Sequence, residues 1–226
     1  MSIFAIADLH LTQDVNKSME KFGWIDYDKK IFENWQEKVT SEDLVIIPGD
    51  ISWAMDTIDA YPDLEKIKIM PGKKVLLKGN HDYWWKSITS LNKYDKDMFF
   101  IQNNIFEFED YVITGSRGWI CPNDSKYTEH DEKMYQRETL RLENCLKLAQ
   151  KTGKKIILIM HYPPTNDKKE PSNFTALAKK YDVPYLIYGH LHGKDNFNAS
   201  IIGLVENTQY HLVSCDYLEF NLKKII

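Results

Sequence analysis

The chain opens with Ile3-Phe4-Ala5-Ile6-Ala7-Asp8-Leu9-His10, an apolar run that ends in an aspartate and a histidine. A short run that is apolar throughout is typical of a strand buried on both faces, as in a parallel sheet. Asp8 and His10 directly follow the predicted strand Ile3–Ala7 and are one residue apart. In extended chain their side chains point to the same side, so one metal ion could bind both.

The same arrangement recurs along the chain wherever a short apolar run ends. The predicted strands are rich in Ile, Val, Leu or aromatic residues, and they are Ile3–Ala7, Leu44–Ile47, Lys74–Leu77, Tyr111–Thr114, Ile156–Met160, Tyr185–Tyr188 and Tyr210–Ser214. Polar motifs follow five of these strands, namely Asp8-Leu9-His10, Gly49-Asp50, Gly79-Asn80-His81-Asp82, His161 and Gly189-His190-Leu191-His192. Because ligand sites in open α/β sheets form at the carboxyl ends of strands, these side chains are predicted to converge.

Amphipathic segments lie between the strands and predict helices. Apolar residues recur at helical spacing in Ile31–Val39 and in Leu142–Ala149. Ser172 or Asn173 could cap a further helix. Alternating strands and helices indicate an α/β fold. The segment from about Phe197 onward has strand patterns without helices, which indicates a second sheet or an antiparallel edge.

Length and composition fit one domain over residues 1–226, with 43% hydrophobic and 27% charged residues. No apolar run approaches the about 18 residues of a membrane span, and the amino terminus lacks a basic signal-peptide segment. Cys121, Cys145 and Cys215 show no CxxC spacing and suit a reducing compartment, so we expect a cytoplasmic protein. A net charge of −4 with only three arginines argues against binding of extended nucleic acid.

The ligand types at the strand ends indicate a transition-metal site. The carboxylate of Asp50, after Gly49, could bridge two cations, and Asn80 adds an amide oxygen to the imidazoles. This mixture suits Mn, Fe, Zn, Co or Ni better than Ca or Cu(I). Two such metals about 3.5–4 Å apart form a clamp for phosphoryl transfer and lower the pKa of bound water toward about 7. His81, followed by Asp82, is then the candidate that protonates the leaving alkoxide.

The five motifs, in this order, resemble the calcineurin-like metallophosphoesterase superfamily over residues 8–192. The resemblance implies two divalent or trivalent metal ions, with Mn, Fe or Zn favoured. It implies one metal on Asp8, His10, Asp50 and His192, and a second on Asp50, Asn80, His161 and His190. It further implies that His81 is catalytic with Asp82 as its orienting partner. The expected fold is two β-sheets packed as a sandwich and flanked by helices, in four layers.

Departures from one branch of the superfamily narrow the expected substrate. The Ser/Thr protein phosphatases carry arginines after Gly-Asp and before Gly-Asn-His, whereas this chain has Ile51–Met55 and Lys78 there. The resemblance therefore favours a small prokaryotic phosphohydrolase that cleaves a phosphodiester or small nucleotide-type phosphoester with a metal-bridging hydroxide. The alternatives are a phosphomonoesterase and a non-catalytic metal-binding scaffold on the same fold. A nuclease fits the acidic charge balance less well.

Substrate contacts are predicted from residues near the same sheet edge. Arg117 follows the strand Tyr111–Thr114 and could bind a phosphate oxygen, although an ordinary surface arginine is the alternative. Trp53 and Tyr83, with other aromatic residues nearby, could form a wall for an organic group, or they could pack in the core. Residues 120–136 could form a lid or a surface loop leading into the helix around 138–150. The expected partner is a small phosphoester, with no membrane.

Overall fold

The computed structural model describes residues 1–123 and 127–226. The strands are β1 Ile3–Ala5, β2 Leu44–Ile47, β3 Lys73–Leu77, β4 Met98–Ile101, β5 Ile105–Phe108, β6 Tyr111–Ser116, β7 Lys155–Met160, β8 Tyr185–Tyr188, β9 Gly203–Val205, β10 Thr208–Leu212 and β11 Lys223–Lys224. The helices are α1 Tyr27–Lys38, α2 Thr57–Lys68, α3 Ile88–Leu91, α4 Glu129–Gln150 and α5 Asn173–Lys180.

These strands form two sheets whose inner strands run parallel. The first sheet has the order β11-β1-β2-β3-β4, and the second has the order β5-β6-β7-β8-β10-β9. Strands β5, β9 and β11 are antiparallel to their neighbours and lie at sheet edges. The antiparallel edge predicted after about residue 197 is confirmed. The second sheet, however, begins much earlier, at β5.

The space between the two sheets is filled by apolar side chains from both. Along β1 and the residues after it, Ile3, Ala5 and Ala7 join this central cluster, whereas Phe4 and Ile6 join the cluster beneath the first helix layer. The alternation follows from the two-residue period of a strand. Both sets are buried because each sheet is covered on two faces, which explains strands that are apolar throughout. The predicted sandwich of two sheets flanked by helices is confirmed.

The helices cover the outer faces of the sandwich. Ile31 and Trp35 of α1 are fully buried against the first sheet, together with Leu64 of α2. Helices α4 and α5 pack on the second sheet through residues such as Leu146 and Phe174. Burying one such side chain contributes about 1.5–3 kcal/mol, so these faces fix the positions of the helices.

Some elements differ from the sequence-based expectations. The sequence did not predict six elements, namely strands β4, β5, β9 and β11 and helices α2 and α3. The four strands and α3 are short, and α2 is interrupted by Pro62. Helix α4 begins at Glu129, after a capping box between Thr128 and Asp131, so residues 129–136 of the predicted lid segment are helical. Residues 124–126 of that segment lie outside the described residues. In the described part of the chain, no helix is long and apolar enough to cross a membrane.

Candidate metal centre

The carboxyl ends of the parallel strands from both sheets meet at one edge of the sandwich. The backbone N–H of Ala7, just after β1, donates to the carbonyl of Val213, just after β10, at 2.7 Å. Ala7 also forms a parallel bridge with Ser214. The loops that follow strands of both sheets therefore lie side by side. All seven side chains predicted as metal ligands are carried by these loops.

Two groups of donors lie close enough to hold a cation each. Asp8, His10 and His192 form one group, and Asp8, Asp50 and His161 form the other, with ligand atoms within 4.8 Å of one another in each group. Asp50 also connects them, because its Oδ2 lies 3.8 Å from His10 Nε2 and 3.4 Å from His161 Nε2. The geometry thus offers two neighbouring positions that share aspartate oxygens.

Asn80 and His190 complete the second group. The amide oxygen of Asn80 lies 2.7 Å from His161 Nε2 and 3.0 Å from His190 Nδ1. The same two ring nitrogens of the histidines are 3.2 Å apart. These three donor atoms lie as close to one another as ligands of one metal ion would.

Two ring nitrogens of the first group lack a hydrogen-bond partner among the described residues. Within residues 1–123 and 127–226, the buried Nδ1 of His10 and Nε2 of His192 have no hydrogen-bond partner. His192 Nε2 is 3.6 Å from Asp8 Oδ1. Buried polar groups normally find partners. A metal ion bound at His192 Nε2 and Asp8 would provide one, so the donor set fits the metal pair that the sequence implies.

Two glycines leave room for these aspartates. A Cβ built on Gly189 would lie 2.5 Å from Asp8 Oδ2, and one built on Gly79 would overlap the side chain and backbone of Asp50. The contact distance of a carbon and an oxygen is much longer than this. Glycine is therefore required at both positions by the close approach of a carboxylate.

Four of the candidate ligands have left-handed backbone conformations. The φ angles are 62° for Asp8, 43° for His10, 52° for Asp50 and 73° for His190. Such conformations cost about 1–3 kcal/mol each in residues other than glycine and concentrate at functional sites. They turn the chain sharply where each strand ends, so the side chain points into the common cluster.

The buried charges of the cluster favour a cation. Although burial opposes ionisation, His192 lowers the pKa of Asp8, and His161 lowers the pKa of Asp50. Burial lowers the pKa of His190 to about 3 and that of His10 to about 4, so these rings are neutral at pH 7. Although burial acts in the opposite direction, Asp50 and Asp8 raise the pKa of His161 to about 9, and Asp216 and Asp8 raise that of His192. A bound cation would displace these two ring protons, because metal ligation requires ionised carboxylates and deprotonated imidazoles.

Asp82 has a different place from the one predicted. Its Oδ2 accepts hydrogen bonds from the backbone N–H groups of Asp50 and Gly79, at 2.9 and 2.7 Å. Its Oδ1 accepts from the N–H groups of Ile51, Ser52 and the Trp84 ring, at 2.9, 3.2 and 2.9 Å. Among the described residues, no hydrogen bond joins Asp82 to the His81 ring. The prediction that Asp82 orients His81 is therefore wrong, because five N–H donors already occupy the carboxylate.

Asp82 instead ties together the two loops that carry Asp50 and Asn80. Burial and the charge of Asp50 raise the pKa of Asp82 to about 6, while its backbone hydrogen bonds act in the opposite direction. The carboxylate is fully buried. Its role is to hold the ends of β2 and β3 in register beneath the metal centre.

His81 lies at the open side of the cluster and is positioned by other contacts. Its backbone N–H donates to Asp50 Oδ1 at 2.8 Å. Its ring is half-buried and lies against Trp53, with ring centroids 4.4 Å apart. Trp53 also stacks on His10, with ring centroids 4.7 Å apart. The His10 and His81 rings contact each other edge-on at 5.7 Å, so the three rings pack as one group that contains the candidate general acid and a candidate metal ligand.

Asp216 is a site residue that the sequence analysis missed. Its Oδ1 lies 3.0 Å from His192 Nδ1, and its Oδ2 accepts from the backbone N–H of Gly193 at 2.9 Å. Burial would lower the pKa of His192, but Asp216 and Asp8 raise it to about 10. A carboxylate on the far nitrogen of an imidazole fixes the tautomer that presents Nε2 to a metal. Asp216 follows the predicted strand Tyr210–Ser214, so the strand-end rule could have found it.

The aromatic residues near the centre divide between surface and core. Tyr83 is 54% exposed and lies edge-on to His81 at 6.4 Å. Trp84 and Trp85 are buried in the cluster beneath the first helix layer, so these two residues pack in the core. Of the aromatic residues predicted to form a wall for an organic group of the substrate, Trp53 and Tyr83 lie beside His81.

Arg117 lies beside the second ligand group. Its backbone carbonyl accepts hydrogen bonds from the N–H groups of His161 and Tyr162, at 3.2 and 3.0 Å. Its guanidinium lies over the Trp119 ring, with the Cζ atom 4.8 Å from the ring centroid. Arg117 is therefore adjacent to the centre, although no described contact connects its guanidinium to the candidate ligands.

Comparison of the sequence with protein families and known proteins gives two matches. Residues 1–194 match the model of a family described as calcineurin-like phosphoesterase. The Gene 66 protein of Mycobacterium phage D29 is 24% identical over 195 residues, which cover 85% of this chain and 79% of the phage protein.

Solved structures share the fold over almost the whole chain. A protein of unknown function from Aquifex aeolicus has a TM-score of 0.55 at 17% identity and covers 99% of this chain and 95% of its own. The protein TT1561 of Thermus thermophilus has a TM-score of 0.61 at 12% identity, covering 98% and 96%. The phosphopantetheinyl hydrolase of Mycobacterium tuberculosis has a TM-score of 0.52 at 12% identity, covering 100% and 95%. At these identities the likeness concerns the fold alone.

Proposed function

The chain belongs to the calcineurin-like phosphoesterase family and is a metal-dependent phosphohydrolase; from this premise we propose that it hydrolyses a phosphodiester or small nucleotide-type phosphoester at a pair of metal ions. The observation that carries the proposal is the position of Asp50. One oxygen of its carboxylate lies within 3.8 Å of His10 Nε2 and 3.4 Å of His161 Nε2. A carboxylate between two sets of imidazoles is placed as a bridging ligand would be.

In this proposal Asp8, His10, Asp50 and His192 would hold the first metal. Asp50, Asn80, His161 and His190 would hold the second. Mn, Fe or Zn suits this set of nitrogen and oxygen donors. When bound, such a pair supplies Lewis acidity toward the phosphoryl oxygens and lowers the pKa of coordinated water.

His81 is the proposed general acid. Its ring lies at the open side of the ligand cluster, and its backbone is fixed to Asp50 Oδ1 at 2.8 Å. The ring packs against Trp53 at a tilt of 52°, with ring centroids 4.4 Å apart. A protonated imidazole held there can donate its proton to the alkoxide oxygen that leaves phosphorus. Asp82 has no part in this step, and Asp216 positions the ligand His192.

The proposed substrate is a small phosphoester. Arg117, Trp53 and Tyr83 are the side chains proposed to contact its remaining groups. Lys78 and Ile51–Met55 stand where protein phosphatases carry arginines, which favours a diester or nucleotide-type compound over a phosphoprotein. A phosphomonoester is the alternative within the same chemistry.

The decisive experiment compares two chromogenic substrates after metal removal and reconstitution. We expect Mn²⁺-restored protein to hydrolyse bis-p-nitrophenyl phosphate faster than p-nitrophenyl phosphate, and Asp50→Ala to lose both activities. His81→Ala is expected to lower kcat by about 10²–10⁴-fold, the usual contribution of a general acid. His130→Ala, on α4 outside the ligand cluster, is the matched control.

The outcomes separate the hypotheses. A scaffold would give no hydrolysis, with metal binding intact and no effect of His81→Ala. Faster hydrolysis of p-nitrophenyl phosphate would favour the monoesterase. Activity that needs neither Mn²⁺ nor Asp50 would contradict the proposed metal pair.

We also propose that the chain is a single domain of the cytoplasm. Strands β10 and β11, which lie beyond the family match at residue 194, complete the second and first sheets respectively. Residues 195–226 therefore belong to the same structural unit. Cys121, Cys145 and Cys215 are buried and unpaired, as expected for a protein of a reducing compartment.

A further inference from the structure

All three arginines of the chain line one small cavity. The cavity has a volume of about 190 Å³ and lies at the carboxyl edge of the sandwich, between the two sheets and helix α4. Its charged lining residues are Lys78, Arg117, Arg137, Glu138 and Arg141. Arg137 and Arg141 are neighbours on α4, and the fold brings Arg117, 20 positions before Arg137 (137 − 117 = 20), to the same place.

The cavity has a strong excess of positive charge. Four of its lining residues are cationic and one, Glu138, is anionic, in a protein whose net charge is −4. Glu138 is buried and accepts a hydrogen bond from Arg141 at 2.6 Å, with Arg137 at 3.9 Å from the same oxygen. One buried carboxylate therefore holds two guanidinium groups in place without neutralising the site.

The remaining two cations have no carboxylate partner. In the described part of the chain, no ion pair involves Arg117, whose guanidinium lies over the Trp119 ring. Lys78 donates to the backbone carbonyl of Trp85 at 3.2 Å. Lys78 and Arg117 both line the cavity, so the two cations lie near each other. Four cations around one carboxylate give the cavity a positive potential that attracts an anion.

The cavity adjoins the metal centre. Lys78 is two residues before Asn80, and the carbonyl of Arg117 accepts the backbone N–H of His161. Trp119, beneath the Arg117 guanidinium, contacts Tyr162 at 5.4 Å, and Tyr162 contacts His190 at 4.3 Å between ring centroids. Two cations of the cavity are therefore carried by loops that are bonded to, or contain, candidate metal ligands.

We infer that this cavity binds a second phosphate group of the substrate, so that the substrate class is a small phosphoester carrying two phosphates. Its volume is below the about 300–1,000 Å³ of a pocket for a whole ligand, and it suits one anionic group. Guanidinium groups bind phosphate oxygens in bidentate fashion. The inference rests on the proposed function for the phosphate that is cleaved, but the cavity itself can be tested separately.

The first test measures binding without catalysis. Inorganic phosphate is titrated calorimetrically into the metal-free protein, for which we expect one saturable site. Arg117→Gln and the more exposed Arg137→Gln should each weaken binding at least about tenfold, the loss of one hydrogen-bonded charge contact. Lys147→Gln, on the same helix but outside the cavity, should bind like the wild type. Absence of a saturable site, or wild-type binding by both arginine variants, would overturn the inference.

The second test measures whether the bound phosphate belongs to the substrate. With Mn²⁺-loaded protein, we expect kcat/KM for the diester adenylyl-(3′→5′)-adenosine bearing a 5′-phosphate to exceed that for the same dinucleotide without the 5′-phosphate at least about tenfold. This ratio should fall toward one in Arg117→Gln and Arg137→Gln and stay unchanged in Lys147→Gln. An unchanged ratio in the arginine variants, with phosphate binding at the cavity established, means that the cavity takes free phosphate, which overturns the substrate class.

The two proposals can fail independently. If no phosphoester is hydrolysed, including bis-p-nitrophenyl phosphate, the proposed function fails and the substrate class fails with it, while phosphate binding still decides the anion site. If Mn²⁺ and Asp50 are needed for hydrolysis but the arginine variants change neither binding nor the ratio, only the further inference fails.

Discussion

Replacing Asp82 with asparagine should destabilise the protein strongly, although the side chain touches no substrate. The carboxylate is fully buried and accepts five N–H groups. Asparagine has nearly the same shape but only one oxygen. Its amide N–H₂ must therefore face donors that Asp82 now accepts.

The size of the effect follows from how the donors are divided between the two oxygens. If the amide nitrogen replaces Oδ2, the backbone N–H groups of Asp50 and Gly79 lose their acceptor. If it replaces Oδ1, three donors lose theirs. A buried donor left without a partner costs about 1–3 kcal/mol. Two such donors predict a loss of about 2–6 kcal/mol, a large share of a stability of about 5–15 kcal/mol.

The measurement is urea unfolding of the metal-free proteins, followed by circular dichroism and analysed by linear extrapolation. The matched control is Asp63→Asn, another buried aspartate, on α2. Among residues 1–123 and 127–226, Asp63 accepts only from the Gln13 amide and the Ser52 hydroxyl, at 2.6 and 2.5 Å. Both partners can reverse donor and acceptor roles, so this control should lose less.

A loss below about 1 kcal/mol for Asp82→Asn, less than one unsatisfied donor costs, would refute the reasoning. So would a loss equal to that of Asp63→Asn. Either result would mean that the loops carrying Asp50 and Asn80 are not held by the carboxylate.

Three further changes address the metal centre and its surroundings. Gly79→Ala should abolish Mn²⁺ binding measured by calorimetry, because the added methyl overlaps the Asp50 carboxylate; normal binding would contradict the close approach. Asp216→Asn should weaken Mn²⁺ binding about 10–100-fold, since it removes the charge that orients His192. Unchanged affinity would show that this contact has no influence on the ligand. Trp53→Ala should lower kcat on bis-p-nitrophenyl phosphate, because the His81 ring loses the surface against which it lies. Trp53→Phe should retain most of the activity, and equal losses in the two variants would argue against ring packing as the cause.

The candidate ligands could be predicted because their signal is local. A short apolar run followed by Asp, Asn or His marks a strand end, and parallel strands end at a common edge. Ala7, for example, is joined to Ser214 across the two sheets, which brings Asp8 near His190 although 182 positions separate them. Nothing beyond residue type and strand direction was needed to place them together.

The role of Asp82 could not be predicted in the same way. Its position beside His81 in sequence indicated an orienting carboxylate, but the fold directs its side chain into the interior. There it meets N–H groups from the loop after β2, about 30 positions away (82 − 52 = 30). Adjacency along the chain does not determine which neighbours a buried side chain meets, because the turn conformation decides its direction.

The amino-acid sequence by itself determined the two-sided burial of the strands, the α/β order and the set of donors at the strand ends. These follow from hydrophobic periodicity and residue chemistry, which act over a few neighbouring positions. Only the tertiary structure decided that Asp216 supports His192 and that Arg117, Arg137 and Arg141 share one cavity. These contacts join residues on different strands and helices, and their distances depend on how sheets and helices pack, which no local pattern contains.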